Sequence, residues 1–165
     1  MSIARMYEEY SEAVYQFIYF LVGEEELSKD LMQETFLKAM NHFSGFRRDA
    51  SEKTWLMKIA RNLVYDHFRR KKVLKFIPFL QKHEQLEPTY VPERWLESKD
   101  SQYKLYKALG QLPYQYREVI VLRKIEGFSI KESAKILGWN GAKVRNATER
   151  GMKKLQQLLG GDEDA

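Results

Sequence analysis

Seven polar residues crowd into one stretch near the C-terminal end: Lys143, Arg145, Asn146, Glu149, Arg150, Lys153 and Lys154. Their chemistry is non-covalent. Arg presents a fork that matches the guanine edge, Asn pairs with adenine, and Glu accepts from the cytosine amino group. Lys153 and Lys154, farther along, suit phosphates, which position a duplex without reading it. A second set, Lys58, Arg61, Asn62, Tyr65, Asp66, Arg69 and Arg70, shares the stretch "KTWLMKIARNLVYDHFRRKK", and Phe46, Arg47 and Arg48 precede it. Basic residues interleaved with rings suit a nucleic-acid strand: charge holds phosphates, and rings stack on unpaired bases. For both sets the plain alternative is a charged helix face turned to solvent.

A third set has the opposite character. Asp30, Gln33, Glu34 and Lys38 fall at i, i+3, i+4 and i+8, which makes one polar ridge on a helix. DNA repels Asp30 and Glu34, so the ridge is a poor phosphate binder. It is either solvent surface or a docking face for another protein, and the residues alone do not choose.

Covalent chemistry finds no support. His42, His67 and His83 lack metal-ligand spacing, and Asp49 and Asp66 form no carboxylate cluster. No nucleophile–base set, Gly-rich phosphate loop or zinc motif is present. The absence of cysteine excludes a disulfide scaffold, thiolate zinc, iron–sulfur clusters and a Cys nucleophile. The expectation is therefore no catalytic residue, no metal, no cofactor and a cytoplasmic setting. The longest apolar stretch, Phe17 to Val22, is far short of the roughly 20 residues of a membrane span.

These side chains need elements to hold them. Ser129 and Glu132 make a Ser-x-x-Glu capping box that opens a helix. Ala134 is small where a second helix crosses, and Gly138 suits the left-handed residue that ends the first. Asn140 can cap the next helix, on which Val144, Thr148 and Leu155 point inward. Small residue, Gly and inward Val at this spacing are what a helix-turn-helix demands. Its second helix is expected over about Gly141 to Leu158, and such a helix reads the major groove with its N-terminal half.

The rest of the chain is helical by periodicity. Tyr10, Val14, Phe17, Ile18 and Leu21 form one stripe, ended by Gly23. Leu31, Thr35 and Phe36 face inward on the ridge helix. A third helix, about Thr54 to Arg70, carries Trp55, Leu56, Ile59, Ala60, Leu63 and Val64 on its apolar side and Arg61 on the other. Tyr103, Tyr106, Leu109 and Leu112 make a further stripe, broken by Pro113. Pro78, Pro88 and Pro92 fall in a stretch without helical periodicity, residues 74–99, read as a linker. The prediction is an all-α chain of two small helical domains, 1–73 and 100–160, with a disordered tail at 161–165.

Charge follows the same division. The 165 residues carry a net +5. Residues 1–46 hold a net −5, 47–73 a net +6, 74–99 a net 0, 100–159 a net +7 and 160–165 a net −3. Two basic segments and one acidic segment lie behind a small total.

The ordered set "DLMQETFLKA", "TWLMKIARNLVYDHFRRKK", a Pro-bearing linker and "LYKALGQLPYQYREVIVLRKIEGFSIKESAKILG" resembles a bacterial sigma factor. The layout is similar to the extracytoplasmic-function class, over roughly residues 6–158. The resemblance implies that Asp30, Gln33, Glu34 and Lys38 dock on the clamp helices of the large subunit of core RNA polymerase. It implies that the basic helix meets the promoter −10 element, the loop Ser44 to Lys53 holding a flipped base. The helix-turn-helix would read the −35 element, and the linker would thread towards the polymerase active centre. It also implies an anti-sigma partner. A stand-alone helix-turn-helix repressor is the alternative; the linker and separate basic helix speak against it.

One stretch departs from the family pattern. "AKVRNATERGM", Ala142 to Met152, puts Ala147 and Met152 where the family often has Arg, and Thr148 where it has Leu. Gly151 inside a helix is expected to cost about 1 kcal/mol against Ala.

Overall fold

The computed structural model describes residues 2–43, 46, 50–74 and 99–161, the side chains of 72–74, 99–102 and 161 apart. The expected linker, all but its first and last residues, and the tail at 162–165 lie outside the described residues, as do Arg47 and Arg48. The described residues contain helices and no strand.

Helix α1 spans Ile3–Val22. The Ser2 hydroxyl accepts from the Arg5 amide at 3.2 Å and caps it, a start that the stripe beginning at Tyr10 did not reveal. Gly23 closes it in the left-handed region, φ 73°, where a side chain would be strained. Helix α2 spans Glu25–Asn41, with Glu25 and Glu26 in the first turn opposite the helix dipole. Helix α3 spans Glu52–Leu74, longer at both ends than its apolar stripe predicts. The Ser51 hydroxyl caps it by accepting from the Thr54 amide at 3.1 Å. Arg5 bridges Glu52 at 2.8 Å and ties the start of α1 to the start of α3.

Helix α4 spans Lys99–Gln111 and α5 spans Tyr114–Ile120, with Pro113 between them as expected. A π-helical turn, Val121–Ile125, extends α5. Helix α6 spans Ile130–Leu137 and α7 spans Gly141–Gly161, three residues beyond its predicted end. Tyr106, Leu109 and Leu112 are buried as the stripe predicts, whereas Tyr103 is exposed.

The two helical groups do not stand apart. Helix α1 packs on α2 and α3, and also on α4 and α5, while α3 packs on α6. One continuous apolar core results, running from Phe17 and Leu21 through Tyr106 and Leu109 to Ile120 and Val144. Tyr19 and Tyr106 stack at 5.6 Å between centroids, and the Tyr106 hydroxyl donates to that of Tyr19 at 2.8 Å. Arg117 is buried and donates to the carbonyls of Leu109, Gly110 and Leu112 and, across the groups, of Leu21. Burial pulls this guanidinium down to about 10, so it stays charged at neutral pH. Four backbone acceptors around one cation explain why a charge is tolerated there.

Candidate nucleic-acid interface

The C-terminal site is built by α6 and α7. The capping box forms in full: the Glu132 amide donates to the Ser129 hydroxyl at 3.0 Å, and the Ser129 amide donates to the Glu132 carboxylate at 2.9 Å. That backbone donor, above all, holds the Glu132 carboxyl below its ordinary range. Gly138 takes φ 70° and ends α6. The Asn140 side chain accepts from the Lys143 amide at 2.8 Å and starts α7. Val144 and Leu155 are buried, and half-buried Thr148 donates to the Val144 carbonyl at 2.7 Å.

With the inward face so set, Lys143, Arg145, Asn146, Glu149, Arg150, Lys153 and Lys154 are all exposed. They divide into two flanks. Arg145, Glu149 and Lys153 line a groove with Arg123 and Lys124. Lys143, Asn146 and Arg150 line another with Tyr116 and Asn140. Arg123 and Lys124 therefore extend the cationic surface, a contribution hidden in the sequence because they sit beside the core run of Val119 to Leu122. Two of these cations are held over rings: Lys143 lies 4.3 Å from the Trp139 centroid and Lys154 5.9 Å from that of Tyr116.

One position of this stretch finds its reason in packing. Ala147 lines the wall of the groove shared by Lys143, Asn146 and Arg150, and nothing in the structure explains its small size. Gly151 is buried where α7 crosses α5, and an added Cβ would lie 2.7 Å from Ile120 Cδ1. The helix gives up propensity there in return for close approach.

The basic helix α3 divides its expected residues between two environments. Lys58, Asn62, Arg69 and Arg70 are exposed, and Asp66 pairs with Arg69 at 2.6 Å. Arg61, expected on the outward side, is instead buried. Its Nε and Nη2 reach the Glu118 carboxylate at 3.4 and 3.3 Å, and the guanidinium lies over the Tyr65 ring at 3.5 Å. The Tyr65 hydroxyl donates to the same carboxylate at 3.2 Å. The cause is tertiary: α5 packs where the amphipathic pattern of α3 alone leaves solvent. Burial pushes the Glu118 carboxyl up from the usual carboxylate range, while the Arg61 guanidinium pulls it the other way. Burial likewise raises the Tyr65 hydroxyl.

Of the loop before α3, Phe46 is described. Its ring lies 4.8 Å from that of Trp55, which is half-buried. Lys58 also lines a groove with Lys131, Lys135 and Arg145, so α3 and the helix-turn-helix share one cationic furrow.

The acidic ridge of α2 forms as the spacing predicts. Asp30, Gln33, Glu34 and Lys38 are exposed, and Leu31, Thr35 and Phe36 are buried beneath them. Leu37 stands in the same ridge and is 55% exposed, with Met40 beside it at 54%. These two apolar residues stand exposed along the polar ridge, which the polar spacing did not disclose.

Among the described residues no group of three or more His, Cys, Asp or Glu is placed to hold a metal. No helix among them is long and apolar enough to cross a membrane.

Comparison with known proteins gives a consistent result. The family model described as Sigma-70 region 2 matches residues 6–73, and that described as Sigma-70, region 4 matches residues 102–155. The chain is 32% identical over 159 residues to the ECF RNA polymerase sigma factor SigX of Bacillus subtilis (strain 168), covering 93% of this chain and 81% of SigX. The fold is similar to the sigma factor RpoE of Bartonella quintana, solved with the anti-sigma factor NepR. The TM-score is 0.76 at 23% identity, over 95% of this chain and 96% of the other. It is also similar to CnrH, solved with the cytosolic domain of CnrY. There the TM-score is 0.72 at 26% identity, over 97% of this chain and 88% of CnrH.

Proposed function

The chain belongs to the sigma-70 family of RNA polymerase sigma factors, in its extracytoplasmic-function class, and we propose how its three polar surfaces divide the work. As a sigma factor it binds core RNA polymerase and confers promoter specificity on transcription initiation. The α2 ridge of Asp30, Gln33, Glu34 and Lys38, with Leu37 and Met40, is the docking face for core polymerase. Helix α3, through Lys58, Arg61, Asn62, Tyr65, Arg69 and Arg70, takes the opened −10 strand. Helix α7, through Lys143, Arg145, Asn146, Glu149 and Arg150, reads the −35 duplex, while Lys153 and Lys154 meet phosphates.

The observation that carries this division is the set of seven outward residues on α7, displayed by a fully capped helix-turn-helix on the same chain as an acidic ridge that cannot face DNA. Polymerase binding comes first, then duplex readout, then strand capture. Arg47 and Arg48 join the −10 surface in this reading. The factor makes and breaks no bond itself and works in the cytoplasm, where the polymerase is. RpoE and CnrH were each solved with a protein partner, which supports an anti-sigma factor as a partner for this chain too.

Run-off transcription with purified core polymerase on genomic fragments tests the assignment. Promoter-specific products that depend on the added chain are expected. No specific product from any fragment would overturn it.

A further inference from the structure

Two exposed cations of α7 lie over rings. Lys143, in the first turn, has its Nζ 4.3 Å from the Trp139 centroid, and Lys154 has its Nζ 5.9 Å from that of Tyr116. Arg150 comes between them. Lys143, Arg150 and Lys154 fall at i, i+7 and i+11, close to whole numbers of turns, so they share one side of the helix.

Both rings are anchored. Trp139 and Tyr116 are half-buried and pack against the core. The Trp139 amide donates to the Ala134 carbonyl at 3.0 Å, which pins the turn after α6. The Lys143 amide donates to the Asn140 side chain at 2.8 Å, which pins the first turn of α7. Ring and lysine are therefore carried by backbone that is itself fixed.

We propose that Trp139 and Tyr116 are positioning residues for −35 binding, their rings ordering Lys143 and Lys154 at the two ends of a side of α7 that grips one phosphate strand.

A lysine ammonium is a point charge on a flexible four-carbon stem. Immobilising such a stem when DNA arrives costs free energy, and a ring that confines it beforehand removes part of that cost. The ammonium has three donors, and those turned from the ring stay available to a phosphate oxygen. A cation drawn back against the domain wall suits the backbone at the rim of the major groove better than the base edges inside it. This division rests on the assignment of α7 to the −35 duplex and narrows it. Lys143 and Arg150 hold the backbone, and base readout falls to Arg145, Asn146 and Glu149.

The test is a double-mutant cycle, read by holoenzyme titrations at several salt concentrations on the promoter that run-off transcription identifies. Lys143→Ala should weaken binding alike on every promoter variant and lower the salt slope by about one ion. Trp139→Leu should weaken binding about three- to ten-fold at unchanged slope, because Lys143 still meets its phosphate but from a disordered start. Trp139→Phe, which keeps a ring, should restore most of that loss. In the Lys143→Ala background, Trp139→Leu should have no further effect. Tyr116→Leu against Lys154→Ala repeats the cycle at the other end. Losses that simply add, in variants with intact melting curves, would overturn the positioning role. A changed preference at one base position in Trp139→Leu would overturn the backbone role. Should Trp139→Leu fail to fold, the ε-methylene proton shifts of Lys143 in the intact chain decide: an upfield displacement by the indole supports the contact, and ordinary lysine shifts remove it. If Arg145→Ala and Lys143→Ala both leave promoter binding unchanged, the assignment of α7 itself falls. If Arg145→Ala alone weakens it, that assignment stands and the phosphate grip falls.

Discussion

Gly151 of α7 lies so close to Ile120 of α5 that an added Cβ would sit 2.7 Å from Ile120 Cδ1 and 3.2 Å from Tyr116 Cβ. Ile120 is itself buried, and behind the tip of its side chain stand Ile120 Cγ1 at 3.3 Å and Tyr116 Cβ at 3.2 Å from the same added Cβ, atoms that move less freely. In an exposed helix, Gly→Ala adds about 1 kcal/mol of stability. Overpacking a filled site costs about 1–3 kcal/mol. The second effect wins here, so Gly151→Ala should lower stability by about 1 kcal/mol, read as a lower midpoint in urea at unchanged m-value. A higher midpoint would mean that the crossing has slack.

The capping box makes a prediction about pH. The Glu132 carboxyl is held below its ordinary 4.5, chiefly by the Ser129 amide. A carboxyl with a depressed folded pKa stabilises the fold at pH above its unfolded value, and that contribution fades as pH falls through the folded value. Glu132→Gln should therefore flatten the acid limb of the stability curve below about pH 4.5. Ser129→Ala removes the reciprocal cap and should cost about 1 kcal/mol at neutral pH. Thermal melts from pH 3 to 7 on the three proteins check both.

On α7, the proposed reader of the −35 duplex, two substitutions should behave differently. Arg145→Ala should cost about 1–3 kcal/mol on the preferred −35 duplex and relax preference at one base position. Lys153→Ala should weaken binding uniformly across sequences and reduce the salt slope by about one ion. Holoenzyme titrations on promoter variants at several salt concentrations separate the two. Equal losses on every sequence for both variants would show that Arg145 is another phosphate contact.

The proposed docking role of the α2 ridge is testable without DNA. Glu34 is exposed, so Glu34→Lys should leave the melting curve unchanged. It should weaken binding to core polymerase, by about 1 kcal/mol or more if the partner surface is cationic. Leu37→Asp should do the same through the apolar part of the ridge. Unchanged affinity for both would move the docking face elsewhere.

Much of this molecule is legible without coordinates, for local reasons. The capping residues Ser129, Glu132, Gly138 and Asn140 act within a turn of their own position, so their types alone announce the helix-turn-helix. The α2 ridge and the outward residues of α7 follow from 3.6-residue periodicity, and both appear where that period places them. The ordered motifs, through their resemblance to the family, point to the function. Only the tertiary structure decided the rest. It buried Arg61 against Glu118, residues separated by 57 positions, because α5 covers a face of α3 that the helix's own pattern leaves open. It also set Gly151 at a close helix crossing, where the sequence alone shows only a residue that weakens a helix. Periodicity reports which side of a helix is apolar, and is silent on which polar side a distant helix will come to cover.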